Sequence, residues 1–348
     1  SISFSFLLVL TSTIPYLYGM SQFLRPSYFL PLLTRQGIQN LRKLEADRPA
    51  VSNARHLFET IDVVTNIALT GMIRGDRQLT LQSLSSLHIL LAETLASGHT
   101  GSGHSQPGSW RNGKPFFVPG LAREGQEFLI REKAWPEGYI LAQMLKVMEV
   151  ATKRQHEILG ELAGQLVETA RLAFVIKQET TLELHVMAFN TLMRDALEEK
   201  DLRRFQILSY HYRLLIESFH GDSTRLLSVA QHLVHYGNLA SKLGLPFGME
   251  TVVYDLGELI LSVAKHSEDE AIQLVEGAPG SFLFHSLGQN LQKARVGWRS
   301  LIHLYWEARA LSLDRLADLT LNAYLEDENV HREQVQRALG ENRELHFE

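Results

Sequence analysis

Large apolar residues recur every three or four positions along most of the chain. After Asp201 the stripe runs Phe205, Leu208, Tyr212, Leu215 and Phe219, with spacings of three, four, three and four. That period puts five large side chains on one face of an α-helix. Leu81, Leu84, His88, Leu91 and Leu95 repeat the spacing earlier in the chain. An aspartate precedes each stripe, Asp76 in RGDRQ and Asp201 in EKDLRR. At a helix start, such a carboxylate accepts a bond from the free N–H groups of the first turn. Ahead of each aspartate lies another apolar helix, over residues 63–73 and 184–197. Helix, short polar turn, aspartate cap and helix therefore occur twice, about 125 residues apart, and predict two antiparallel helical hairpins.

Further start and stop signals extend the helical pattern. Thr180 with Glu183 and Ser267 with Glu270 have the spacing of a capping box. Gly244 followed by Pro246 predicts a helix that stops and restarts. No 34-residue repeat of the tetratricopeptide kind is visible. The exception to the helical pattern is residues 97–120, with glycines at 98, 101, 103, 108, 113 and 120. It reads as one long loop, and Asn112-Gly113 within it predicts a small hairpin turn.

The first residues break the amphipathic pattern in another way. Residues 2–20, ISFSFLLVLTSTIPYLYGM, carry no charge. As a helix they would reach roughly 28 Å, about the thickness of a bilayer core. Tyr16, Tyr18, Phe23, Tyr28 and Phe29 gather around Arg25 as an interfacial aromatic belt does. No basic leader and no small-residue cleavage site marks the stretch as a signal peptide. Between residues 25 and 55 stand six Lys or Arg against two acids, which puts that side in the cytoplasm. The chain starts at Ser1, as a processed protein or a piece of a longer one would. The expected fold is all-α, an N-terminal transmembrane helix followed by antiparallel helical hairpins stacked as a solenoid or bundle. Its divisions are a transmembrane or interfacial segment (1–30), a membrane-proximal hairpin region (31–96), the Gly-rich loop (97–120), a helical body (121–325) and an acidic C-terminal helix or tail (326–348).

Composition narrows the chemistry. Of 348 residues, 45 % are apolar and 21 % charged, as in a folded chain. With no cysteine there is no disulfide, Fe–S cluster, thiolate zinc site or Cys nucleophile. A formal net charge of -5, with Arg203-Arg204 and Arg42-Lys43 as the densest basic stretches, does not favour nucleic acid. Residues 108–114, GSWRNGK, have the spacing of a phosphate loop. Pro115 follows where Ser or Thr must hold Mg²⁺, and no strand leads in, so nucleotide binding is not expected.

Fifteen histidines invite a metal hypothesis. Glu217 with His220, and Glu328 with His331, have the Glu-x-x-His spacing of di-iron bundles. His232 and His235, with His211 and His220 on the preceding helix, could bind Zn²⁺. Imidazoles filling a helix–helix boundary explain the same pattern, and His220 before Gly221-Asp222 suits a helix end. The candidate metal residues are thus Glu217, His220, His232 and His235. No catalytic residue and no cofactor are expected, and no Gly-x-Ser-x-Gly elbow is present.

The IDVVTNIALTGMIRGD segment and the later PFFVPGLAREGQEFL resemble uncharacterised bacterial membrane proteins in which transmembrane helices precede a cytoplasmic helical domain. The resemblance covers residues 1–175 and implies no reaction. The expected function is a non-catalytic, membrane-anchored scaffold or accessory subunit of a larger membrane assembly. Its partners would be other subunits or further copies, with lipid along residues 2–20. The alternatives are a cytoplasmic regulatory domain of a channel or transporter, and a metal-dependent helical-bundle enzyme.

Overall fold

The structure is a computed structural model that describes residues 26–45, 51–97, 127, 129, 131–132, 134–154, 156–285 and 291–326. Thirteen helices are found among them, and no strand. The all-α expectation holds. The helices are α1 (Pro26–Glu45), α2 (Val51–Arg74), α3 (Arg77–Ser97), α4 (Trp135–Arg154), α5 (His156–Val175), α6 (Glu179–Glu198) and α7 (Leu202–Glu217). They continue with α8 (Ser223–Lys242), α9 (Pro246–Ala264), α10 (Glu268–Glu276), α11 (Ala278–His285), α12 (Leu291–Ala310) and α13 (Asp314–Glu326).

Both predicted stripes form helix faces, except that Phe219 lies in the turn just past the end of α7. Phe205, Leu208, Tyr212, Leu215 and Phe219 are all fully buried, each removing roughly 1.5–3 kcal/mol worth of apolar surface from water. Leu84, Leu91 and Leu95 are buried too, whereas Leu81 and His88 are half-exposed. Both aspartates cap as expected: Asp76 accepts from the Leu79 N–H and Asp201 from the Arg204 N–H, each at 3.0 Å.

The turn ahead of each cap has a form the sequence does not announce. Gly75 has φ +72°, the Asp76 N–H donates to the Gly71 carbonyl and the Gly75 N–H to the Met72 carbonyl. Lys200 has φ +57°, and the same two bonds run from Asp201 to Ala196 and from Lys200 to Leu197. This is the Schellman ending, one left-handed residue satisfying the last free carbonyls. It recurs at Lys177, Gly244 and Ser312, so five helix pairs are joined by one device. Three of the five left-handed residues are not glycine.

Two capping predictions need correction. Helix α6 starts at Glu179, directly after the turn at Lys177, so Thr180 lies inside its first turn and caps nothing. Ser267 does cap α10, accepting from the Glu270 N–H at 3.3 Å. The Glu270 carboxylate does not return the bond; it accepts from the Gly221 N–H and the Ser223 hydroxyl at the start of α8. The Gly244–Pro246 break is as predicted, with Pro246 opening α9.

The chain divides into two compact units, Ser1–Ala188 and Phe189–Glu348, with the division inside α6. The Gly-rich stretch, expected as a boundary, instead separates helices that pack together: α4 lies on α2 and α3, and α5 on α3 and α4. In the first unit α1, α2 and α3 pack mutually. Phe58 of α2 stacks on Trp135 and meets Tyr139 edge-on, and the Tyr139 hydroxyl donates to Asp62 at 2.5 Å. In the second unit α9 is central and touches α7, α8, α10, α11 and α12. It is buried almost all round, as its VVYDLGELILSVA run requires.

The predicted membrane segment, residues 2–20, and the belt residues Tyr16, Tyr18, Phe23 and Arg25 lie outside the described residues. Among the described residues no helix is long and apolar enough to cross a membrane. Tyr28 and Phe29 are exposed on the first turn of α1, their rings edge to face at 6.1 Å. The 98–120 part of the Gly-rich loop, including GSWRNGKP, and the acidic tail from residue 327, with Glu328 and His331, also lie outside the described residues.

Candidate binding groove

Helices α1 and α3 approach closely where Gly37 meets Leu90; a Cβ at residue 37 would stand 2.8 Å from a Leu90 methyl. Arg42 lies beside Glu93 at 3.6 Å, one turn further along both helices, so the two run in the same direction. Their seam opens into a groove of about 1020 Å³. No residue of α2 lines it, so it occupies the side of the seam that α2 leaves uncovered. Leu30, Ile38, Leu81 and Ile89 supply its apolar surface.

Two hydroxyls in the lining are turned away from the opening. Thr34 donates to the Leu30 carbonyl at 2.8 Å, and Ser86 to the Gln82 carbonyl at 3.0 Å. Bonding back to the preceding turn satisfies a buried hydroxyl and presents carbon outward. Gln82 keeps a buried Oε1 with no hydrogen-bond partner among the described residues.

The charge along the groove is of one sign. Arg35, Arg42 and Arg77 line it, and no carboxylate does. Arg77 pairs with Glu157 of α5 at 2.7 Å, with both side chains mostly exposed. Such surface pairs contribute about 0–1 kcal/mol and exchange partners easily. Arg35 has no ion pair among the described residues.

The sequence-predicted metal residues are spread across the second unit in different roles. Glu217 is held by Arg213, whose Nε lies 3.5 Å from Asp255. His220 stands past the end of α7, and its Nδ1–H donates to the Glu217 carbonyl at 3.2 Å. Its ring stacks on His266, centroids 4.8 Å apart. Nδ1 of His232 accepts from the Tyr212 hydroxyl at 2.8 Å and the Asn190 amide at 3.2 Å. His235 meets the Tyr236 ring edge-on. Among the described residues no group of three or more His, Asp or Glu could hold a metal ion.

Sequence reasoning passes over two buried polar groups. Asp255 receives a short bond from the Ser209 hydroxyl, and burial pushes its carboxyl up to about 6 despite Arg213. Burial lowers His185 to about 4. Its Nδ1–H donates to the Thr181 carbonyl at 2.7 Å, and its Nε2 accepts from the Thr169 hydroxyl at 2.8 Å. Burial likewise lowers His211 to about 4. Asp255 and His185 lie inside apolar helical patterns, which give no signal of what a polar residue there will face.

These features define a class, an all-helical protein of linked hairpins with, among the described residues, an open apolar groove and polar clusters that tie helix to helix. No family model matches the chain, and no curated protein does. Among solved structures, a "circular tandem repeat protein with novel repeat topology and enhanced subunit contact surfaces" is similar at 18 % identity and a TM-score of 0.46. That match covers 92 % of this chain and 74 % of the other, and it bears on neither the groove nor the function.

Proposed function

We propose that the protein is a non-catalytic, membrane-anchored helical scaffold, an accessory subunit of a larger membrane assembly. The observation that supports this reading is the α1–α3 groove, an apolar surface open on one side and lined by three arginines. A groove of this kind suits contact with another polypeptide. The polar residues that invite a catalytic reading are engaged by other side chains: Glu217 with Arg213 one turn earlier on α7, and, between helices, His232 with Tyr212 and Asn190 and His185 with Thr169. The uncharged run at residues 2–20 would be the anchor, and its Ser, Thr and Pro content favours protein neighbours over lipid alone. The basic residues after it would place the helical units on the cytoplasmic side.

The test is the mass and composition of the particle extracted from native membranes in mild detergent. The expected result is a particle well above the 39.4 kDa of one chain, with other polypeptides at fixed ratio. A lone chain or a homo-oligomer would overturn the accessory-subunit reading.

A further inference from the structure

We infer that the α1–α3 groove receives an amphipathic helix of a partner protein, about three turns long, with acidic residues flanking its apolar stripe. This rests on the scaffold reading and names the chemistry of the partner. The walls are two facing helical stripes. On α1, Pro31, Arg35, Ile38 and Arg42 follow at four, three and four; on α3, Gln78, Leu81, Ser85 and Ile89 follow at three, four and four. Eleven residues of helix span roughly 16 Å, the length of three turns of an occupant helix.

The lining suits a helix surface. Thr34 and Ser86 are small and spend their hydroxyls on their own helices, so a side-chain ridge can settle between α1 and α3. Leu30, Ile38, Leu81 and Ile89 meet apolar residues at i, i+3, i+4 and i+7.

The placement of charge selects the partner. Because α1 and α3 run in the same direction, Arg77 at the start of α3, Arg35 and Arg42 are distributed along the groove rather than gathered at one end. An anionic lipid carries its charge at one end of its apolar body. An acidic amphipathic helix carries charge along its whole length, and that is the distribution the three arginines complement. No carboxylate lines the groove itself, and the exposed surface pairs of Arg42 with Glu93 and of Arg77 with Glu157 give way to the acids of the occupant.

The experiment uses the full-length chain in detergent and a fluorescein-labelled 16-residue peptide with leucines at i, i+3, i+4 and i+7, flanked by glutamates. A second peptide has every glutamate replaced by glutamine. Fluorescence anisotropy should show the acidic peptide binding at least tenfold more tightly than its neutral counterpart. Arg35→Glu with Arg42→Glu should erase that difference. Ser85→Trp, at an exposed position in the groove wall, should abolish binding of both peptides while the helical circular dichroism is unchanged. Equal affinity for the two peptides, or binding that survives Ser85→Trp, overturns the inference. So does absence of peptide binding with Arg35- and Arg42-dependent capture on phosphatidylglycerol vesicles, which would assign the groove to lipid. The scaffold reading fails separately. If native particles keep their other polypeptides when both arginines are reversed, this inference falls and the scaffold reading stands. If the wild-type particle is a lone chain, the scaffold reading falls.

Discussion

Single residues set the turns and the response to pH. Lys177, Lys200 and Ser312 occupy the left-handed conformation, which costs an L-residue roughly 1–2 kcal/mol. Glycine avoids that cost but loses more entropy on folding. Lys200→Gly should therefore raise stability by about 0.5–1 kcal/mol, read as a higher midpoint in urea; an unchanged or lower midpoint would contradict the account. The cap beyond the same turn works in the opposite sense. Asp201→Ala should cost about 1 kcal/mol in the same measurement.

The buried titratable groups pull against one another. His185 and His211, lowered to about 4, stabilise the fold above their unfolded value near 6.5 and lose that contribution as pH falls toward 4. His88 and His232, also lowered by burial, act in the same direction. Asp255, raised to about 6, does the reverse: its contribution is complete below pH 3.8 and is lost as pH rises through 6. Histidines outnumber the aspartate, so stability should fall on acidification from pH 6.5 to 4. Asp255→Asn removes the opposing contribution, so its urea midpoint should drop more steeply over that interval than that of the wild-type chain. An equal or shallower slope would contradict the assignment.

At the scale of the helix, what is legible in the sequence is what is local. The stripe from Phe205 to Phe219 and the aspartate caps need only one helix and its first turn. The endings at Lys177 and Lys200 escape notice because lysine carries no signal for a left-handed residue, whereas Gly75 and Gly244 do. Close approaches between distant helices escape for a different reason. A Cβ on Gly237 of α8 would stand 2.4 Å from the Phe282 ring of α11. Neither residue announces the other across 45 positions of chain. Gly237→Ala should cost about 1–3 kcal/mol, and much less in a Phe282→Leu background, as a double-mutant cycle in urea would show. Additive effects of the two changes would exclude the contact as the cause.

For each compact unit taken whole, the groove depends on a meeting that periodicity does not encode. Leu81 belongs to a stripe that reads as core, yet it lines an opening because α2 covers only one side of the α1–α3 seam. Arg35, Arg42 and Arg77 look like ordinary solvated residues until the parallel packing of α1 and α3 aligns them. The division of the chain inside α6 is equally silent in the sequence, since one continuous helical pattern runs through Ala188 and Phe189. The histidine candidates show the converse. Glu217, His220, His232 and His235 are conspicuous as letters, but each spends hydrogen bonds or ring contacts on a neighbouring residue.

The recurring left-handed turn has a consequence for proteolysis. Lys177 and Lys200 are exposed, and trypsin would find both side chains within reach. A protease must also draw several residues of backbone into extended form, and at each turn two hydrogen bonds across the helix end prevent that. Cleavage after either lysine therefore waits on opening of the hairpin. At dilute trypsin, the rate at which fragments ending at Lys177 or Lys200 emerge measures the fraction of time each hairpin stands open, not how accessible its lysine is.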